Sequence, residues 1–306
     1  MAKTRKTVTL DPDNLRVDLA VQALTGVSRA SVRGLFDHGC VTLAGRLCKE
    51  PGSRGNPGQE VAVEFEIDRK YKEIPATRSN RAFRIAHEDA QLLVVEKAAG
   101  VLTVATDRRE DDTLQHEVGR HLSKGQRITK RAWVVHRLDR DTSGLLVFGK
   151  TREIQEALSQ QFEDQKPERQ YAAIVAGRVR EDRGTFRSFL VTAEDLDQYS
   201  THVAGQGKLS ITHYEVQDRL RDTTFVRVRL ETGRRNQIRV HFAEAGHPVL
   251  GDVRYESERA KHPLWKEKRL ALHAQTLGFR HPVTGAAVTV TSDLPAAFVA
   301  FLRANR

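Results

Sequence analysis

From Phe83 to the C-terminus, short apolar runs recur: QLLVVEK at 91–97, GLLVFGK at 144–150, YAAIVAGRV at 171–179, TTFVRVRLE at 223–231 and AAVTVTS at 286–292. Each is the length of a strand, too short for a buried helix, and is rich in β-branched residues. Several of the connections between them are short, which favours antiparallel pairing. Helical segments lie between, such as 114–122, where Leu114, Val118 and Leu122 share one face. The predicted class is therefore α+β, with a long, mixed but mainly antiparallel sheet. A chain of 306 residues can bury such a sheet without disulfide or metal support.

The first 65 residues read as a separate unit. Residues 1–14 are polar and end in the turn-like DPDN, so a frayed start is expected. Val17, Ala20, Val21 and Leu24 follow a helical period, and Ser28 is a good N-cap for a second helix carrying Val32, Leu35 and Phe36. Gly39 supplies a stop, VTLAG at 41–45 reads as a strand and turn, and EVAVEF at 60–65 as a strand. Residues 66–80 are charged, without apolar period, and read as a linker. The expected division is 1–65, linker 66–80, and a larger domain over 81–306.

Charge narrows the partners. Fifty Lys and Arg stand against 40 Asp and Glu, a formal net charge of +10, which fits either a solvated basic surface or a polyanion such as nucleic acid. Five basic residues without an acid, Arg120, Lys124, Arg127, Lys130 and Arg131, fill 119–131 and suit contacts to a phosphate backbone. Cys40 and Cys48 cannot complete a four-ligand zinc site and lack CxxC spacing. The N-terminus lacks the apolar core of a signal peptide, and no apolar stretch is long enough to span a bilayer. A reduced, cytoplasmic protein without a membrane partner is expected. His116 and His121 suggest a metalloprotease helix at a glance, but a spacing of five makes them diverge, so no metal is expected.

The densest chemistry is His136-Arg137-Leu138-Asp139-Arg140-Asp141-Thr142-Ser143-Gly144, running directly into the apolar LLVF. Charges packed beside a buried strand need partners or a function. On physics alone, a salt-bridged loop and a catalytic loop compete evenly.

HRLDRDTSG resembles the signature of the RluA-type pseudouridine synthases. Other segments match in the family's order: DAQLLVVEKAAG at 89–100 with Ala98 where Pro is usual, ERQYAAIVAG at 168–177 with Arg169 where Lys is frequent, ETGRRNQIRVHFAEAGHPVLGD at 231–252 with Asn236 where His is usual, and RLALHAQTLGFRHPVTG at 269–285. In front, SRASVRGLFDHGCVTLAGRLCKEP at 28–51 is similar to an S4 domain, a small RNA-binding module, with Arg16-Val17-Asp18 in place of the usual Arg-Leu-Asp. That likeness implies that Arg29 and Arg33 present charge to RNA. The competing reading is a helical module that only packs on its neighbour.

The resemblance implies a pseudouridine synthase fold and the isomerisation of uridine in structured RNA, with large-subunit ribosomal RNA favoured and transfer RNA the rival. The N1–C1′ bond breaks and the uracil rejoins through C5; nothing is oxidised and no group is added, so no cofactor is needed. Asp139 is implied as the carboxylate that attacks sugar or base, or assists proton removal. Arg239 is implied as its cation, Arg offering a two-point fork that Lys lacks; an ordinary strand-surface Arg is the competing reading. Tyr171 is implied as a ring stacking on uracil, and Arg137 as the residue that fills the stack vacated by the flipped base. Two rival functions share the scaffold: a non-catalytic RNA-binding assembly factor, and a glycosidase that releases the base. A monomer is expected.

Overall fold

The computed structural model describes residues 4–12, 15–48, 51–66, 82–106, 110, 112–124, 130–164, 167–193, 197–203 and 205–306. Arg127 and nearly all of the 66–80 segment lie outside the described residues, as does the side chain of Arg29. The chain divides into two compact units, Met1–Asn80 and Arg81–Arg306.

The first unit runs β1 (Thr4–Thr9), α1 (Val17–Thr25), α2 (Arg29–Asp37), β2 (Val41–Leu43), β3 (Arg46–Leu47) and β4 (Glu60–Phe65), with sheet order β1-β4-β2-β3. The expectation of a frayed start is corrected: Thr4–Thr9 pairs antiparallel with all of β4, Thr4 opposite Phe65 and Thr9 opposite Glu60. The strand escapes notice because Val8 is its one apolar side chain; the backbone ladder, not burial, defines it. The Ser28 hydroxyl caps α2 by accepting from the Ser31 amide at 3.3 Å. Ala44 and Gly45 adopt positive φ to turn β2 into β3. Val17, Val21, Val32, Leu35, Phe36, Val41, Val61, Val63 and Phe65 form the core. Arg33 stands exposed on α2.

The second unit continues with β5 (Phe83–Glu88), β6 (Leu92–Lys97), α3 (Leu114–Leu122), β7 (Trp133–Val134), β8 (Ser143–Gly149), α4 (Arg152–Asp164), β9 (Glu168–Ala176), β10 (Arg183–Thr192), β11 (Gln198–Thr201), β12 (Lys208–Arg219), β13 (Thr223–Leu230), α5 (Gln237–Glu244), β14 (Leu272–Arg280), β15 (Ala287–Thr291) and α6 (Ala296–Ala304). Among the described residues the sheet order is β11-β10-β12-β13-β9-β14-β8-β6-β5, with β15 added to β14 and β7 to β8. All pairs are antiparallel except β8 with β14. The class is α+β with a mixed, mainly antiparallel sheet. No described helix is long and apolar enough to cross a membrane.

Burial explains the run lengths. Leu93, Val95, Leu146 and Phe148 pack with Leu114 and Val118 of α3, while Leu92, Val94, Leu145 and Val147 pack with Ile154 and Leu158 of α4. Strands β6 and β8 are thus covered on both faces, which requires continuous apolar sequence. In β13, by contrast, buried Val226, Val228 and Leu230 alternate with exposed Arg227 and Arg229, so its second face meets water. The parallel contact has its own constraint. Gly144 (φ 116°) is paired with Ala274, and a Cβ there would collide with the Ala274 backbone.

Candidate active site

The loop 136–142 leads into β8, and it is tied down on both sides of Asp139. Before it, the Leu138 amide donates to Thr103 Oγ1 (3.2 Å), whose hydroxyl donates to the Leu138 carbonyl (2.8 Å). After it, the Arg140 carbonyl accepts from Lys97 Nζ (2.8 Å) and from the Gly100 amide (2.9 Å). Lys97 ends β6 at 1% exposure, and its Nζ also donates to the carbonyls of Ala98 (2.9 Å) and Val101 (2.8 Å). Three acceptors match the three protons of an ammonium. Burial pulls Lys97 down to about 7, against the opposing charges of Asp141 and Asp139.

Further back, His136 stacks on Phe162 of α4 with centroids 4.6 Å apart, and its Nε2 accepts from the Val147 amide (3.3 Å). Burial and the neighbouring Arg169 hold it neutral, down to about 3. At the start of β8 a buried relay runs in one direction. Arg269 Nη2 donates to Ser143 Oγ (2.6 Å), Ser143 meets His273 Nδ1 (2.7 Å), and His273 Nε2 meets Ser292 Oγ (3.1 Å). Ser292 donates onward to the Asp293 carbonyl (3.3 Å). That order assigns the proton of a neutral His273 to Nε2, consistent with burial lowering it to about 4.

Asp139 keeps 28% of its side chain exposed and accepts from Arg239 Nη1 at 3.2 Å. The fold thus joins residues 100 apart in sequence. Two details differ from expectation. Arg239 lies in the first turn of helix α5, not on a strand. Its two-point fork grips Asp252, not Asp139: Nε to Oδ2 at 2.7 Å and Nη2 to Oδ1 at 2.8 Å. The fork goes to the carboxylate buried to 1% exposure, because a buried anion needs the strongest pairing. Burial acts against the Arg239 charge, but the pairing with Asp252 and Asp139 outweighs it and raises its pKa.

Two further residues complete the mount. Asn236 precedes α5 in the left-handed region (φ 56°), which Asn tolerates. Its Oδ1 accepts from Arg239 Nη1 (3.0 Å) and its Nδ2 donates to the Tyr255 hydroxyl (3.0 Å). The Arg239 guanidinium lies over the Tyr255 ring at 5.0 Å. Asp252 Oδ1 in turn accepts the amides of Arg254 (2.9 Å) and Tyr255 (3.1 Å), so one carboxylate shapes the turn that delivers the tyrosine.

Tyr171 sits mid-β9 between Val228 and Ala274, buried with Leu138, Ile238 and Phe242. Its hydroxyl has no hydrogen-bond partner among the described residues. Burial pushes its pKa up; Arg169 opposes this, and the charge of Asp139 adds to it.

Sequence reasoning assigned no role to Lys97, Asp252 or Tyr255. The signal for each was present: a charge closing an apolar run, and an acid and an aromatic beside a Gly turn. Arg137, two residues before Asp139, stands exposed. Arg120 pairs with Glu117, Arg131 lies over Trp133 at 4.6 Å, and Lys124 and Lys130 are exposed. His116 contacts Thr113 while His121 pairs with Glu88, so the two histidines serve different neighbours.

Residues 91–244 match the family model described as RNA pseudouridylate synthase. The ribosomal large subunit pseudouridine synthase D of Zymomonas mobilis is 33% identical over 304 residues, covering 96% of this chain and 95% of that protein. Its counterpart in Pasteurella multocida is 31% identical over 299 residues, covering 94% of this chain and 90% of that protein. Among solved structures, the human protein RNA Pseudouridylate Synthase Domain Containing 1 superposes with a TM-score of 0.57 at 25% identity, over 71% of this chain and 88% of that one. The chain belongs to the RNA pseudouridylate synthase family and is an RNA pseudouridine synthase, an isomerase.

Proposed function

We propose that this protein isomerises uridine to pseudouridine in large-subunit ribosomal RNA, with Asp139 as the catalytic carboxylate. One observation carries the assignment of the acid: Asp139 is the partly open carboxylate of a buried charge cluster whose other carboxylate, Asp252, is fully engaged by Arg239 and two backbone amides. Arg239 steadies its charge through Nη1 while Asp252 and Asn236 fix the guanidinium. A carboxylate so placed is oriented but not consumed, as a nucleophile or proton acceptor must be.

The target base leaves its stack at a cost of a few kcal/mol, and Arg137 fills the gap. The uracil stacks on Tyr171. With Asp139 assisting, the N1–C1′ bond breaks, the ring turns, and C5 bonds to C1′. The C5 proton then leaves, which makes its release the signature of turnover. The unit over residues 1–65 acts as an S4-like RNA-binding module through Arg29 and Arg33, joined by a linker at 66–80 to the catalytic domain. Arg120, Lys124, Arg127, Lys130 and Arg131 contact backbone phosphates. The ribosomal substrate is suggested by what the relatives' names say those proteins act on.

Mapping pseudouridine in a strain lacking the protein tests this reading. At least one site should vanish from large-subunit ribosomal RNA and return with the wild-type chain. Loss confined to transfer RNA would overturn the substrate, and free uracil among the products would point to glycosidase chemistry.

A further inference from the structure

Strand alternation gives the catalytic sheet a second face at β9, β13, β12 and β10. Tyr171, Val228 and Tyr214 are paired neighbours on the face that carries the site. One residue along, Gln170, Arg229, His213 and Thr185 are paired in a row pointing the other way. So are Ala172, Arg227, Glu215 and Arg183. All the residues of these two rows but the buried Ala172 line a groove of about 430 Å³.

Its charges are unevenly committed. Glu215 is occupied by Arg227, Nη1 to Oε2 at 3.3 Å, and Arg227 Nη2 also donates to Gln217 (2.8 Å). Arg183 and Arg229, and Arg187 two residues beyond Thr185 on the same face, are exposed and have no ion pair or hydrogen-bonding side-chain partner among the described residues. Glu215 stands directly opposite Arg183 across the strands but is held by Arg227. Here the nearby acids are engaged by other groups: Glu215 by Arg227, and Glu231 stands 3.5 Å from His213 Nε2, whose Nδ1 shares a 2.8 Å hydrogen bond with the Thr185 hydroxyl.

We propose that this reverse face is a second RNA-docking site, in which Arg183, Arg187 and Arg229 hold backbone phosphates of the substrate outside the region that enters the catalytic site. The planar guanidinium fork fits phosphate oxygens, and phosphate contacts position an RNA without reading its sequence. Access is direct. Strand β11 pairs only with Phe189–Thr192 of β10, which leaves Arg183–Arg187 at a free sheet edge among the described residues. Tyr171 lies three strand spacings from that edge, about 15 Å, so a large folded RNA can touch both faces around it. The inference rests on RNA being the substrate but not on Asp139 being the acid.

The test compares R183Q/R187Q/R229Q with R178Q/R221Q/R303Q, which removes the same charge from exposed positions elsewhere in this unit. Binding to in-vitro-transcribed large-subunit ribosomal RNA is titrated across salt concentrations, with thermal unfolding to confirm that both variants fold. The first variant should bind at least tenfold more weakly at 150 mM salt, with the log–log salt slope shallower by about 2 to 3. Its single-turnover rate at saturating RNA should match wild type, and the second variant should lose clearly less affinity. Equal losses in the two would reduce the effect to net charge and overturn the proposal. So would an unchanged slope, or a folded variant whose saturating rate collapses. Because slope is read from binding, this failure is distinct from the wild-type enzyme lacking turnover on ribosomal RNA.

Discussion

The two units of the chain treat charge in opposite ways. In the first, the core is aliphatic and aromatic apart from Cys48, and the ion pairs Arg5 with Glu60 and Arg16 with Asp18, among the described residues, stand at the surface. In the second, Lys97, Arg239 and Asp252 are taken almost wholly out of water and each is matched atom by atom. A surface pair contributes little, about 0–1 kcal/mol. A buried ion stripped of its partner costs about 3–5 kcal/mol. Charges of the second kind therefore fix geometry, whereas charges of the first kind, free to move, can only add affinity. That contrast separates the residues that should govern rate from those that should govern binding.

The sharpest way to break the contrast is Arg239→Lys. Lysine keeps one positive charge but cannot grip Asp252 at two points while reaching Asp139 and Asn236. The single-turnover rate should fall about a thousandfold, equivalent to about 4 kcal/mol, with a smaller loss of stability. A wild-type rate would remove Arg239 from the mechanism. Next, Lys97→Met should leave the Ala98 and Val101 carbonyls without this donor and the Arg140 carbonyl held by the Gly100 amide alone, loosening that side of the loop. Urea unfolding should show a loss of about 3 kcal/mol, and the rate should fall with it; unchanged stability would mean that the loop does not depend on this tie.

The third effect is on pH. His273 is held neutral down to about 4 when folded, against an ordinary histidine value of about 6.5. Between those values the unfolded chain takes up a proton that the folded one refuses, so stability is full above about 6.5 and falls as pH drops toward 4. His273 alone should cost about 2 kcal/mol between pH 7 and pH 5. His273→Gln should remove that share of the acid slope, with His136 and His241, also held neutral by burial, supplying the rest; an identical slope would show that the relay carries no titration. The smallest effect belongs to the first unit. Arg33→Gln should weaken RNA binding a few-fold and lower the salt slope by about 0.9, leaving stability and saturating rate alone. A rate effect there would erase the division between the units.

How far the sequence discloses this molecule follows the same line. Strands β6, β8, β9 and β13 are legible because β-branched runs state their burial directly. The parallel pairing of β8 with β14 is not, since Ser143 meets His273 across 130 residues and only Gly144 hints at it. Helix α5 is obscured because Ile238 and Val240 suggest a strand, while it starts from a left-handed turn at Asn236 and buries both Ile238 and Val240 with the consecutive His241, Phe242 and Ala243, which no alternating strand would do. Asp139, Tyr171 and Arg239 were identified through family resemblance, residue type alone leaving a salt-bridged loop equally possible. Asp252 stayed invisible for a different reason: an acid after glycine reads as an ordinary turn until the arginine that it holds is known.

Asp139→Asn bears most directly on the central claim. The amide keeps the shape of the side chain and a hydrogen bond to Arg239 but removes the nucleophile and base. Tritium release from C5-labelled uridine in ribosomal RNA should be abolished, while affinity for that RNA stays within a few-fold of wild type, since phosphate contacts supply most of it. Turnover retained by Asp139→Asn would contradict the assignment, whatever the fate of the other residues.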